Sequence, residues 1–143
     1  MARVWYVERR SANGDPLFAP ERVLVVDDDE AVLELAGEFL RRAGYECQPA
    51  SGGVEAIDLF ARAPAEVDVV VLDLTMPDLD GREVLRELRL LRADIPVVLT
   101  TGYSRGSLEE RFRDESHINL LPKPYEPEQL IDAIRQARHG SEG

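Results

Sequence analysis

Short aliphatic runs that alternate with amphipathic segments constrain the fold of this chain more than any other feature. Two of these runs, Val23–Val26 and Val69–Leu72, are apolar at every position, which is typical of strands covered by helices on both faces of a sheet. The predicted strands are Arg22–Asp27, Glu46–Ala50, Val67–Asp73, Ile95–Thr101 and Ile118–Leu121. Because a helical segment follows each strand, we expect an α/β fold built on a parallel sheet.

The segments between the strands carry apolar residues at intervals of three and four, as amphipathic helices do. The first segment includes Val32 and ends at Gly44, a residue suited to the left-handed position after a helix. The other helices are expected near Gly53–Ala63, Arg82–Arg92, Ser107–Asp114 and Glu126–Arg138. Leu108 and Phe112 are the only large apolar residues of the fourth helix, which favours mobility there.

The composition limits the classes of function. Seventeen Lys+Arg against 28 Asp+Glu give a formal net charge of −11, which disfavours direct binding to nucleic acid or to an anionic membrane. A single cysteine, Cys47, excludes an intramolecular disulfide and a multi-cysteine zinc site, and it fits a cytoplasmic location. We expect Cys47 to pack in the second strand as a small apolar residue.

Residues 1–20 differ in composition from the rest of the chain. Three arginines against Glu8 and Asp15 give this segment a net charge of +1, which leaves −12 on the other 123 residues. Ser11–Pro16 has the composition of a turn or linker. We therefore expect a tail or linker over 1–20, one domain over 21–138 and a short tail over 139–143. The alternative for 1–20 is the end of an upstream domain.

Side chains of complementary chemistry stand at the carboxyl ends of the predicted strands. They are Asp27, Asp28, Asp29, Asp73, Thr101 and Lys123. Each has a simpler explanation when taken alone: Asp28 and Asp29 could cap the first helix, and Lys123 could be a surface charge. In an open parallel sheet, however, ligands bind at the carboxyl ends of the strands, and the coincidence of all these residues at that edge favours one common site.

The chemistry of such a site is consistent with phosphoryl transfer onto a carboxylate. Carboxylates that share a cleft repel one another, and a hard divalent cation such as Mg²⁺ relieves that repulsion through oxygen ligands. The hydroxyl of Thr101 and the ammonium of Lys123 can both bind phosphoryl oxygens. Catalysis of this kind is mostly positioning and charge stabilisation.

Four segments in order resemble the receiver domains of bacterial two-component response regulators, over roughly residues 21–138. The segments are Val23–Asp29, Asp73–Gly81, Pro96–Gly102 and Leu121–Pro124. The resemblance implies a doubly wound, flavodoxin-like fold with a five-stranded parallel sheet in the order 2-1-3-4-5.

The resemblance also implies a phospho-acceptor and a metal site. Asp73 would take a phosphoryl group from the phosphohistidine of a sensor histidine kinase or phosphotransfer protein. Asp27 and Asp28 would hold Mg²⁺, together with Asp73 and the backbone carbonyl of Thr75. The chain would be a switch and not an enzyme acting on other molecules, since it would catalyse only its own phosphorylation and dephosphorylation.

Further implications of the resemblance concern the response to phosphorylation. Thr101 would move to the phosphoryl group and Lys123 would contact it, next to a cis peptide bond between Lys123 and Pro124. The face formed by the fourth helix, fifth strand and fifth helix would change and would bind a partner or a second copy of the chain. Gly81 would have a positive φ. Leu120 occupies a position that is often aromatic in the family, which puts an aromatic readout in doubt.

Three other kinds of protein compete with this interpretation. A haloacid-dehalogenase-type phosphatase would use Asp27 in an Asp-x-Asp pattern, but it needs a later acidic pair, and Glu126 and Glu128 are better explained as complements of a helix dipole. A flavin-binding flavodoxin would need a phosphate loop where three aspartates stand. A receiver that only docks partners usually lacks one of the acids, and none is missing here. Whether the chain is a stand-alone regulator or a piece of a hybrid kinase or of a multidomain regulator stays open.

Overall fold

The structure is a computed structural model that describes residues 20–102 and 105–139, without the side chains of residues 105, 107 and 108. The tails expected over 1–20 and 139–143 lie outside these residues, except for Pro20 and His139. None of the helices in these ranges has the length and hydropathy that a membrane span requires.

Strands and α-helices alternate along the described residues, as the sequence predicts. The strands are β1 (Arg22–Val26), β2 (Glu46–Ala50), β3 (Val69–Asp73), β4 (Val97–Thr101) and β5 (Ile118–Pro122). The helices are α1 (Glu30–Arg42), α2 (Gly53–Arg62), α3 (Gly81–Leu91), α4 (Arg105–Arg111) and α5 (Pro127–His139). The ends of α4 are the least well predicted, since this helix begins two residues and ends three residues before the expected positions.

The strands form one parallel sheet in the order β2-β1-β3-β4-β5, which confirms the predicted doubly wound topology. In β1, β3 and β4 every residue is buried, because helices cover both faces of the sheet. Val26 pairs with Leu72, and Asp73 pairs with Thr100. These registers bring the carboxyl ends of the three central strands to one edge.

Two hydrophobic clusters fill the space between the sheet and its helices. One cluster lies under α1 and α5 and includes Leu33, Leu40, Leu130 and Ile134. The other lies under α2 and α3 and includes Phe60, Val84, Leu88 and Phe112, the residue that follows α4. Cys47 packs against the first cluster as expected, and burial raises the pKa of its thiol to about 11.

Two glycines next to helices serve different purposes. Gly44, after α1, has a φ of 96°, which confirms the predicted left-handed position. The positive φ predicted for Gly81 is wrong, since Gly44 is the one glycine with a positive φ in the described part of the chain. A Cβ at position 81 would lie 2.7 Å from the Cα of Leu74, so glycine is required there by a close approach of two backbones.

Candidate functional site

Three carboxylates meet at the carboxyl edge of the sheet. Asp27, Asp28 and Asp73 each offer an oxygen, and these oxygens all lie within 4.8 Å of one another. The arrangement follows from the topology: Asp73 ends β3, and Asp27 directly follows the adjacent strand β1. Asp27 and Asp73 are both 2% exposed, whereas Asp28 is exposed at the mouth of the site.

Lys123 bridges two of these carboxylates. Its Nζ lies 2.7 Å from Oδ2 of Asp27 and 3.3 Å from Oδ2 of Asp73. The backbone N–H of Lys123 donates to the carbonyl of Thr101 at 2.8 Å, and the bond between Lys123 and Pro124 is cis, as predicted. Lys123 therefore links the loop after β5 to the ends of β1, β3 and β4.

The residue type at position 123 is itself a sequence signal, in addition to the spacing of the motifs. Lys123 is the only lysine of the chain, and every other basic side chain apart from the histidines is an arginine. Lysine presents a compact ammonium, whereas arginine presents a broad planar fork. A site that needs a point charge between two buried carboxylates explains why this one position is not arginine.

The carboxylate oxygens of Asp27 and Asp73 that do not face Lys123 accept short local hydrogen bonds. Oδ1 of Asp73 accepts from the backbone N–H of Thr75 at 3.0 Å and from its hydroxyl at 3.1 Å. Oδ1 of Asp27 accepts from the backbone N–H of Asp29 at 2.9 Å. The side chain of Asp29 turns away and caps α1 through the N–H of Ala31, so Asp29 is a helix cap and the other two aspartates of the run form the site.

Burial dominates the electrostatics of Asp73. It raises the pKa of Asp73 above its usual value, and the nearby charge of Asp27 raises it further. The hydrogen bonds from Thr75 and the ammonium of Lys123 offset only part of this effect. The carboxylates therefore still lack positive charge, even with the lysine in place.

The pKa of Lys123 is also raised, but here the neighbouring carboxylates and not burial are the cause. Burial alone would lower the pKa of Lys123, but its hydrogen bond to Asp27 and the charges of Asp73 and Asp27 outweigh burial and raise it. The ammonium stays charged, and one ammonium among three carboxylates leaves a net negative charge. All three acids offer oxygens, so the donor set fits a hard divalent cation such as Mg²⁺.

The remaining predicted residues lie at the same edge of the sheet. Thr101 is fully buried at the end of β4, one residue beyond the partner of Asp73. Thr75 follows β3 in the loop that leads to α3. Leu120, on β5, is half-buried and packs against the core cluster under α2 and α3, so an aliphatic side chain occupies this position.

Comparison with known proteins settles the family. A family model of the response regulator receiver domain matches residues 23–135. The chain belongs to this family. Receiver domains are the phospho-accepting switches of two-component signalling, and they interact with histidine kinases or phosphotransfer proteins. Family membership favours this function over the phosphatase and flavin-binding alternatives.

The relatives of this receiver domain are larger proteins. The response regulator MprA of Mycobacterium sp. (strain KMS) is 44% identical over an alignment of 118 positions, which covers 81% of this chain and 50% of MprA. The sensor kinase CckA of Brucella abortus (strain 2308) is 31% identical over an alignment of 143 positions, which covers 91% of this chain and 15% of CckA. The chain thus spans half or less of the length of these relatives.

Solved structures agree with the family assignment. The chemotaxis protein CheY4 of Vibrio cholerae superposes with a TM-score of 0.75 at 26% identity, covering 83% of this chain and 99% of CheY4. The receiver domain of the hybrid histidine kinase CckA superposes with a TM-score of 0.69 at 30% identity, covering 82% of this chain and 99% of that domain. The domain is therefore similar both to a chemotaxis protein and to a receiver domain of a hybrid histidine kinase.

Proposed function

We propose that Asp73 of this receiver domain accepts a phosphoryl group from the phosphohistidine of a sensor histidine kinase or phosphotransfer protein, with Mg²⁺ as the cofactor. The observation that carries the proposal is the meeting of three carboxylates with the single lysine around Asp73. Asp27, Asp28, Asp73 and the backbone carbonyl of Thr75 would hold the ion. Bound Mg²⁺ would neutralise charge on the carboxylates and on the phosphoryl group.

The hydrogen bonds of Asp73 favour one of its oxygens as the nucleophile. Thr75 fixes Oδ1, whereas Oδ2 faces the ammonium of Lys123. An electron pair of Oδ2 forms the new O–P bond while the N–P bond of the phosphohistidine breaks, and the imidazole that leaves takes a proton from water. Lys123 is placed to bind the oxygens of the phosphoryl group once it is attached to Asp73.

Loss of the signal would follow from hydrolysis of the acyl phosphate. A water molecule attacks phosphorus, the O–P bond breaks, and the carboxylate of Asp73 leaves with inorganic phosphate as the other product. The chain would thus catalyse its own phosphorylation and dephosphorylation and act on no other substrate. Its proposed location is the cytoplasm, which the single cysteine supports.

The proposed output is a change of the face formed by α4, β5 and α5. Thr101 ends β4 directly before the segment that leads to α4, and a phosphoryl group on Asp73 would attract its hydroxyl. α4 has seven residues, and short helices depend on tertiary packing. We propose that this face binds a partner protein or a second copy of the chain, and does not bind nucleic acid.

The phosphorylation proposal is tested by the intact mass of the protein after incubation with acetyl phosphate, with and without Mg²⁺. The expected result is a Mg²⁺-dependent gain of one phosphoryl group in the wild type and no gain in Asp73→Asn. A gain that persists in Asp73→Asn and disappears in Asp27→Asn would contradict the assignment. For the output, amide exchange over residues 105–139 should change on phosphorylation, and unchanged exchange would contradict that part.

A further inference from the structure

Asp78 connects the loop after β3 to the start of α2. Its Oδ1 accepts from the backbone N–H of Gly53 at 3.1 Å, and its Oδ2 accepts from that of Val54 at 3.1 Å. These partners lie 25 and 24 residues earlier in the chain. The first N–H groups of a helix have no partner within the helix, so Asp78 caps α2 from a distant segment.

Gly52, the residue before α2, leaves room for the carboxylate of Asp78. A Cβ at Gly52 would lie 2.7 Å from Oδ2 of Asp78. Gly52 has φ of −174° and ψ of 172°, an extended conformation that any residue adopts, so its backbone does not demand glycine. The absence of a side chain at position 52 is therefore explained by the approach of Asp78.

The same loop carries the residue that orients the acceptor. Thr75 donates its N–H and its hydroxyl to Oδ1 of Asp73, and only Met76 and Pro77 separate Thr75 from Asp78. Met76 is buried in the core, and the ring of Pro77 restricts its own backbone. Because this short connection has little conformational freedom, a displacement of Asp78 is expected to displace Thr75 as well.

We propose that Asp78 is a positioning residue for phosphoryl transfer: by anchoring the loop after β3 to the start of α2, it holds Thr75 in place against Asp73 and the metal site. The inference rests on the proposed function of Asp73. Without the anchor, Thr75 samples positions in which neither its hydrogen bonds to Asp73 nor its carbonyl is correctly placed. Mg²⁺ then binds more weakly and phosphorylation slows.

Glu55 provides the matched control. Its Oε1 accepts from the backbone N–H of Ser51 at 2.7 Å and from the hydroxyl of Ser51 at 3.0 Å. Glu55 thus stabilises the start of the same helix through Ser51, a residue outside the loop after β3. Glu55→Ala loosens α2 without releasing Thr75, whereas Asp78→Ala and Gly52→Ala both break the contact between Asp78 and α2.

The experiment compares these three variants with the wild type, using the full 143-residue chain. Amide exchange of Thr75 is measured in the metal-free protein, the Kd of Mg²⁺ by calorimetric titration, and the rate of phosphorylation with acetyl phosphate below saturating Mg²⁺. In Asp78→Ala and Gly52→Ala we expect faster exchange at Thr75 and Mg²⁺ binding weakened about three- to tenfold, less than the roughly 10–100-fold caused by loss of a direct outer-shell partner. Glu55→Ala should keep the wild-type values.

The outcomes separate this inference from the proposed function. If Asp78→Ala and Gly52→Ala match Glu55→Ala in Thr75 exchange and in the Kd of Mg²⁺, Asp78 merely stabilises α2 and the inference is overturned. If the wild type itself neither binds Mg²⁺ nor gains a phosphoryl group, the proposed function fails and the inference fails with it. Should Asp78→Ala not fold, Gly52→Ala alone decides, because it displaces the carboxylate without removing it.

Discussion

The ammonium of Lys123 lies 2.7 Å from a carboxylate oxygen of Asp27, a residue 96 positions earlier in the chain. The same ammonium reaches Asp73, and the backbone of Lys123 holds the end of β4 through Thr101. One residue thereby joins three strand ends that are distant in sequence. Because both carboxylates are buried, this contact matters for the stability of the domain as well as for its chemistry.

Replacing Lys123 with methionine should destabilise the metal-free domain. Two buried carboxylates lose their cation, and we expect the free energy of unfolding to fall by about 2–3 kcal/mol, less than the ~3–5 kcal/mol for a fully buried pair, because part of Lys123 is exposed. Urea unfolding at pH 7 measures this loss. In an Asp27→Asn background the same substitution should cost less, and an equal cost in both backgrounds would show that the two residues are not coupled.

The titration of Lys123 can be followed directly because the chain has a single lysine. Protein labelled with ¹⁵N-lysine should give one side-chain ammonium resonance by NMR. Since Asp27 and Asp73 raise the pKa of Lys123, its midpoint should lie above 10.5, the usual value. The stabilisation from this pair is then complete below pH 10.5 and is lost as the pH rises through the higher midpoint of the folded state. A midpoint at or below 10.5 would contradict the pairing.

Much of the fold could be predicted because the strands are continuously apolar and the helices are periodic. The weakest prediction concerned α4, whose segment offers few apolar residues to define a face. The prediction of a positive φ at Gly81 was wrong for a different reason. A glycine selected for a positive φ and a glycine selected for the closeness of Leu74 look the same in a sequence, and only the packed backbone distinguishes them.

The site was predictable where strand ends determined it. Asp27, Asp73 and Lys123 each end or follow a strand, so their meeting followed from a parallel sheet. Asp29 could not be separated from its neighbours by residue type, because its role as a helix cap depends on the turn of the backbone. Asp78 was missed because its partners are backbone N–H groups about 25 residues away, and such partners leave no signature in the sequence.

Mg²⁺ should raise the free energy of unfolding of the wild type, and the size of this increase should depend on Asp28. At about 100 times its Kd, a ligand adds about 2.7 kcal/mol to the free energy of unfolding. Asp28→Asn removes the exposed carboxylate of the proposed metal site without disturbing the core, so we expect tenfold weaker Mg²⁺ binding and a stabilisation of about 1.4 kcal/mol at the same concentration. Thermal unfolding with and without Mg²⁺ measures the effect. Asp132→Asn, an equal loss of exposed charge on α5, is the control, and identical shifts in both variants would exclude Asp28 from the site.

The contribution of Asp78 to stability should depend on pH in the acid range. Burial opposes its charge, but the N–H groups of Val54, Gly53 and Leu79 outweigh burial and lower the pKa of Asp78 below 3.8. Its stabilisation is therefore present above pH 3.8 and lost as the pH falls through the lower folded-state pKa. The difference in unfolding free energy between wild type and Asp78→Asn should shrink as the pH is lowered from 7 to below 3.8. A difference that stays constant would show that the carboxylate does not act through its charge.

The most direct test of the central claim is to locate the phosphoryl group chemically. Borohydride reduces the acyl phosphate of a phosphoaspartate to homoserine and leaves free carboxylates intact. Trypsin then separates Asp73, in the peptide 63–82, from Asp27 and Asp28, in the peptide 23–41. After incubation with acetyl phosphate and Mg²⁺, we predict homoserine at position 73 and nowhere else. Homoserine at position 27 or 28, with Asp73 intact, would contradict the account.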